Sequence, residues 1–363
     1  MMRGGRGAAR NVATTSRTLP SWSPLGSKTE EPVSRAMKTR VGALTCRGYP
    51  REHCYRPQDL GEGELVSVGA SVPYVVLDVF TSRAYAGNPL AVVMDAEGLS
   101  GAQMQTITRQ FNLSETAFPL TPSHEEREAG ADYVLRIFTP GSEVPFAGHP
   151  SVGTAWWLAQ CGRIPTGEVG QLCGEGLLPV EVTPTGATLT GGPPVVSAPR
   201  DPLLALAAVG LDARDLVRPD MWIASTGLPF GYVFVTDDAL ARCRPDITVL
   251  REEFAHPQPA TGVYVVAWDS VRQHVRARMF AGDIGSAEDA ATGSAALGLG
   301  ALLAAEGELA EGAHEVTIDQ GVEMGRPARL VVTCEVAAGA ATRLRVTGEV
   351  VKVAEGRILV PPR

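Results

Sequence analysis

The sequence predicts an α+β protein made of two similar domains. Two stretches carry that expectation. In the first half the strand-like run Leu135–Phe138 leads through small residues into "AGHPSVGTAWWLA". In the second half Val275–Phe280 leads through small residues into "ATGSAALGLGALLA". Ten positions separate Phe138 from Gly148, and ten separate Phe280 from Ala290. A strand, a small-residue loop and an apolar helix recur at matched spacing, as an internal repeat should. The chain of 363 residues is long enough for two domains with a large core.

Composition narrows the class. Hydrophobic residues make up 44% and charged residues 20% of the chain, as in an ordinary globular protein. A net charge of -8 argues against a nucleic-acid partner. No apolar run is long enough to span a bilayer, so no membrane association is expected. The six cysteines are scattered, without C-x-x-C or metal-ligand spacing, and read as reduced thiols of a cytoplasmic protein. Residues 1–72 are rich in Arg, Gly, Ser and Pro. They can mimic an organelle transit peptide, but they lack amphipathic period and read as a disordered leader, or as translation upstream of the true start. Folded sequence is expected from about Pro73.

"YVVLDVF" (Tyr74 to Phe80) is strand-like. Gly87-Asn88-Pro89 is turn chemistry, and Leu90 to Met94 returns as a second strand. Met104, Ile107 and Phe111 have helical spacing, and "DYVLRIFTP" is again a strand. Val152, Ala155, Trp156 and Ala159 form one apolar face, which predicts a helix over Ser151–Ala159. Of the adjacent Trp156 and Trp157, one is expected in the core and the other near a surface. "GLLPVEVTPTGATLTGGP" reads as strands and turns, and the Pro- and Ala-rich "VVSAPRDPLLALAAVGL" as the interdomain boundary. The expected domains are residues 73–198 and 199–345, with 346–363 returning to the first. "TGVYVVAW" and "HVRARMF" are strands, "AGDIGSAEDAATGS" is a loop, and "AALGLGALLAA" is an apolar helix ending near Gly307.

The repeat also points to chemistry. A helix start exposes N–H groups and a positive dipole end, and small residues let a ligand approach closely. Two such starts across a cleft would cradle a carboxylate or an enolate-like oxygen. Neither loop carries a nucleotide-binding fingerprint. Glu115, among Leu113, Ala117 and Phe118, is a candidate acid/base with a raised pKa; alternatively Asn112 or Ser114 caps a turn and Glu115 is solvated. His149 before Pro150 either serves substrate or bonds a nearby carbonyl. Asp289 is an acid/base or amine-binding group, or only complements the helix dipole. Ser294 is an N-cap or a substrate-binding hydroxyl, with capping the simpler role. Gln320, Glu323 and Arg326 could line a cleft, but a Gly-rich turn pair explains them equally. There is no G-x-S-x-G elbow.

Five stretches in order, "DVFTSRAYAGNPLAVV", "FNLSETAF", "RIFTPGSEVPFAGHPSVGTAWWL", "EDAATGSAALGLGALL" and "DQGVEMGRPARL", make the chain from about Val75 onward resemble the phenazine-biosynthesis PhzF-like isomerases. The resemblance implies a diaminopimelate-epimerase-like fold: two pseudo-symmetric domains, each a sheet wrapped around a central helix, with the site between them. It implies a homodimer without cofactor or metal. The implied activity is isomerisation of a small carboxylated substrate such as trans-2,3-dihydro-3-hydroxyanthranilate by a proton shift. By the same resemblance Glu115 is the base, while His149, Asp289 and Ser294 orient substrate and assist. Backbone N–H groups near Gly293 and Ser294 hold the carboxylate, with Gly148 at the opposite helix start. Ala290 departs from the family's usual Pro. Related epimerases place two Cys where this chain has Gly148 and Thr292, which argues against thiol racemisation. An epimerase of another pathway, acting for example on a cyclic imino acid, and a non-catalytic binding protein of the same fold remain alternatives.

Overall fold

A computed structural model describes residues 70–254, 260–282 and 287–363. All of these fall within one contact unit, Ser67–Arg363. The expected leader over residues 1–72, with Cys46 and Cys54, lies outside the described residues up to position 69.

The first half runs β1 (Ser71–Val79), β2 (Asn88–Val93), α1 (Gly101–Phe111), β3 (Thr116–Leu120), α2 (His124–Glu128), β4 (Tyr133–Phe138), β5 (Glu143–Val144), α3 (Gly148–Gln160), β6 (Gly167–Cys173), β7 (Gly176–Val182), β8 (Gly186–Thr190) and β9 (Val195–Val196). The second half runs α4 (Leu203–Val209), β10 (Leu216–Ser225), β11 (Pro229–Val235), α5 (Asp237–Arg242), β12 (Val263–Asp269), β13 (His274–Phe280), β14 (Glu288–Asp289), α6 (Gly293–Ala305), β15 (Gly312–Gln320), β16 (Ala328–Ala337) and β17 (Ala340–Leu359). Among the described residues no helix is long and apolar enough to cross a membrane.

Strand pairing repeats from one half to the other. β1–β2, β3–β4, β4–β5, β6–β7 and β7–β8 are antiparallel, while β2–β3 and β4–β6 are parallel. The same alternation returns in β10–β11, β12–β13, β13–β14, β15–β16 and β16–β17, with β11–β12 and β13–β15 parallel. Each half also lends strand to the other. β9 pairs with β10, and β17 leaves β16 to run along β1, from Val350 opposite Val79 to Leu359 opposite Ser71.

In each half the strands surround a central helix. Every residue of α6 except Ser294 and Ala305 is buried, which suits a helix apolar on all sides. α3 buries Val152, Ala155 and Leu158. Its half-buried Trp156 and Trp157 both pack against the core, so the expected split between core and surface does not occur. The Trp156 indole N–H reaches the Pro184 carbonyl, and Lys352 lies over the Trp157 ring. Of the cysteines, Cys243 and Cys334 are core, as expected of inert thiols. The stretch read as an interdomain boundary holds helix α4, which packs with Leu206 and Val209 into a second core.

Gly298 shows how tightly α6 is held. A Cβ there would lie 2.3 Å from the Tyr232 Oη, which donates to the Ala295 carbonyl at 2.8 Å. Gly298→Ala should therefore break that bond or shift the helix. We expect a loss of about 1–3 kcal/mol in urea unfolding, typical of an overpacked core.

Candidate active site

Glu115, His149, Asp289, Gly148, Gly293 and Ser294 line one cavity of about 80 Å³. Each reaches it through a different local device. Helix α1 ends where Asn112 adopts the left-handed conformation (φ 52°), and its N–H caps Thr108. The chain then turns into β3, whose first residue, Thr116, is fully buried. Glu115 is carried inward with it, and its side chain is only 16% exposed. Asn112 does cap, yet Glu115 is not solvated.

His149 and Pro150 occupy the first turn of α3, which starts three residues earlier than the apolar pattern indicated. Pro150 costs nothing there, since a first-turn N–H has no intrahelical partner. Asp289 sits on the two-residue β14, opposite Met279. Its neighbour Glu288 makes a bidentate pair with the buried Arg278 at 2.7 and 2.8 Å, which pins the strand.

Ser294 is not the cap of α6. That position belongs to Thr292, and its hydroxyl donates instead to Asp289 Oδ2 at 2.7 Å. Ser294 lies one turn-step inside, half-buried and facing the cavity. Neither α3 nor α6 has a side-chain cap. The two starts meet: a Cβ on Gly148 would lie 3.7 Å from both Gly293 Cα and Ser294 N. Their first-turn N–H groups and positive dipole ends therefore converge on one place.

Glu115 Oε2 and His149 Nε2 stand 3.6 Å apart, too far for a hydrogen bond. Both atoms are buried without a hydrogen-bond partner among the described residues. Buried polar atoms rarely stay unpaired, which makes this gap a candidate place for a ligand atom. Burial raises the Glu115 carboxyl to about 8; the Asp289 charge adds to the rise and a Ser114 hydrogen bond opposes it. Burial also raises Asp289, against the hydrogen bonds from Thr292 and Asn88. Burial lowers His149 to about 3, so the imidazole is neutral at ordinary pH. Leu228, Phe230 and Met279 give the wall an apolar side, Ser114, Thr261 and Thr292 add hydroxyls, and among the described residues no Lys or Arg lines it. Among the described residues no cluster of His, Cys, Asp or Glu is arranged to hold a metal ion.

Two polar residues support the site that the sequence left ambiguous or unread. Gln320 is fully buried at the end of β15. Its amide donates to the Asp289 carbonyl at 2.9 Å and to Thr292 Oγ1 at 3.0 Å. Its oxygen accepts from the Thr292 N–H at 3.2 Å and from the Tyr264 hydroxyl at 3.0 Å. It is a strut behind the start of α6 rather than a cleft residue. Gln171 on β6 is its counterpart, linking the Tyr133 hydroxyl to Ser151 of α3. Glu323 and Arg326 pair elsewhere, with Arg276 and Asp78. The second residue is Asn88, read from the sequence only as part of a turn. It is buried and touches Ser114, His149, Asp289 and Ala291.

Comparison with known proteins agrees with the architecture. The trans-2,3-dihydro-3-hydroxyanthranilate isomerase of Pseudomonas fluorescens is 35% identical over 298 residues, covering 79% of this chain and 99% of that protein. An uncharacterized isomerase of Mesorhizobium japonicum is 35% identical over 312 residues, covering 79% and 98%. The crystal structure of the Bacillus anthracis phenazine biosynthesis protein of the PhzF family superimposes with a TM-score of 0.71 at 26% identity, covering 80% of this chain and all of that one. The fold is thus the α+β diaminopimelate-epimerase-like one, with its two pseudo-symmetric halves. Residues 77–356 match the family model described as phenazine biosynthesis-like protein, PhzC-PhzF. The chain belongs to that family and is an enzyme of its isomerase class.

Proposed function

We propose that the chain catalyses a cofactor-independent proton shift on a small carboxylated substrate, with Glu115 taking a proton from one carbon and returning it to another. The observation that carries this reading is the pair of unpartnered atoms, Glu115 Oε2 and His149 Nε2, at the meeting point of two helix starts. A base that must take and redeliver a proton works best with a pKa near the working pH, and burial supplies that. As the C–H bond breaks, its electron pair moves into the conjugated system. Charge then grows on the substrate carboxylate and its neighbouring carbons. The N–H groups near Gly293 and Ser294 face that charge without needing a cationic side chain. Asp289 and His149 orient the substrate, and the apolar wall of Leu228, Phe230 and Met279 takes its ring. The carboxylic acid of Glu115 then delivers the proton to the distal carbon.

The Pseudomonas fluorescens relative's name supplies the first substrate to try, trans-2,3-dihydro-3-hydroxyanthranilate. Two-thiol epimerisation finds no support among the described residues, where Cys161, Cys173, Cys243 and Cys334 all lie outside the cavity. The homodimer, the cytoplasmic setting and the division near residue 198 belong to the same proposal. Turnover in deuterated water is the test. Product should carry deuterium at the protonated carbon to the extent that the Glu115 carboxyl exchanges with solvent between taking and returning the proton. Failure to convert any such acid, with substrate shown to bind, would overturn the reading.

A further inference from the structure

We infer that Asn88 is a positioning residue that sets the tautomer of His149 and joins the two halves of the site. The inference rests on reading Glu115 and His149 as the reacting pair. Asn88 opens β2, behind a turn that leaves it no freedom. Gly87 has φ +61°, and a Cβ there would lie 2.3 Å from the Val79 carbonyl. Arg326 clamps the turn from the other half of the chain, donating to the carbonyls of Gly87 and Ala86, each at 2.9 Å, and to Asp78 Oδ1 at 2.5 Å.

The amide orientation of Asn88 follows from its surroundings. Its Nδ2 lies 2.8 Å from Asp289 Oδ1 and 2.9 Å from the Ala291 carbonyl, both of which can only accept from it while Asp289 is ionised. Its Oδ1 faces the Ser114 hydroxyl at 3.4 Å. A flipped amide would set oxygen against two oxygens. The third neighbour of Nδ2 is His149 Nδ1, at 3.4 Å. The two Nδ2 hydrogens serve Asp289 and Ala291 first, but an amide nitrogen has no free lone pair, so an Nδ1–H would meet only donor hydrogens there. Nδ1 is the acceptor of a weak shared contact, and the proton of the neutral imidazole sits on Nε2. Nε2 is the unpartnered atom that faces Glu115 across the gap. Asn88 thus turns His149 into a donor aimed at the reacting site, while holding Asp289 from the other half beside it. An orienting partner of this kind decides which proton a catalytic imidazole offers.

The tautomer can be read directly. Long-range ¹H–¹⁵N spectra of ¹⁵N-imidazole-labelled protein, with His149 assigned by His149→Gln, should show the Nε2–H form near neutral pH. An Nδ1–H signal in the parent protein would overturn the inference, and that measurement needs no variant to fold. In Asn88→Asp the new acceptor should pull the proton to Nδ1, and an unchanged tautomer would likewise count against it. Asn88→Ala should lower kcat about 10- to 100-fold with KM within a few-fold, as loss of an orienting partner does; unaltered kcat would refute the role. If the parent protein shows no isomerase activity on any acid tried, the proposed reaction fails, while the tautomer spectra still decide on Asn88.

Discussion

Glu115→Gln should lower kcat for the proton shift by about 10²- to 10⁴-fold and, above pH 8, leave a more stable protein than the parent. The two effects have one cause. The folded protein holds the Glu115 proton up to about pH 8, whereas the unfolded chain releases it near the ordinary 4.5. Between those values the unfolded state binds fewer protons, so stability falls as pH rises. Gln has the same shape and no proton to lose, so the slope attributable to this residue disappears. The gain above pH 8 should be a few kcal/mol, measured as the difference in urea unfolding between pH 5 and pH 8.5. In the parent protein kcat/KM should climb with pH along a limb displaced well above the usual carboxylate range. Its apparent pKa belongs to Glu115 and Asp289 together, because their charges interact. The variant should lose that limb. A Gln variant that retains parent kcat removes Glu115 as the base. His149 adds the opposite slope: its folded pKa is lowered from 6.5 to about 3, so stability should also fall as pH drops through that window. The site costs the fold something on both sides of neutrality.

Gln320→Leu should destabilise the protein by about 2–4 kcal/mol, measured by urea unfolding. Leucine fills a similar volume but leaves the Tyr264 hydroxyl, the Thr292 N–H and the Asp289 carbonyl without the partners they have now. Each is a buried polar group, and orphaning one costs more than the bond is worth in isolation. Because Thr292 and Asp289 also bond each other, the start of α6 should loosen as a unit. A crystal structure of the variant should show α6 displaced at its first turn while α3 stays put. Gln320→Glu should sit between Leu and the parent, keeping the acceptor while losing the donor. A Leu variant as stable as the parent would show that Gln320 is not a strut.

The strand, small-residue loop and helix of each half were legible because their signals are local: β-branched runs, glycines and apolar period. The convergence of Glu115, His149 and Asp289 was legible only through the order of whole motifs. Asn88 was not, because its partners Asp289 and Ala291 lie more than two hundred positions away and a Gly-Asn-Pro turn already accounts for the residue type. Ser294 was misplaced by one capping rule, since Thr292, two residues earlier, spends its hydroxyl on Asp289. Strands β10 and β11 gave no separate signal strong enough to place them. Helix α4 hid inside a Pro- and Ala-rich stretch whose composition also suits a linker.

The course of β17 has a consequence in time. Synthesis delivers β1 early, with one hydrogen-bonding edge open, and the strand that closes that edge is the last element described. An open apolar edge is a template for wrong pairing, and pairings so distant in sequence form slowly. Helices α3 and α6 both pack on β17 as well. The nascent chain can therefore assemble most of its first half before the strand that both central helices touch is complete. A chain stalled before Val350 would carry every reacting residue without the stretch of β17 that covers β1.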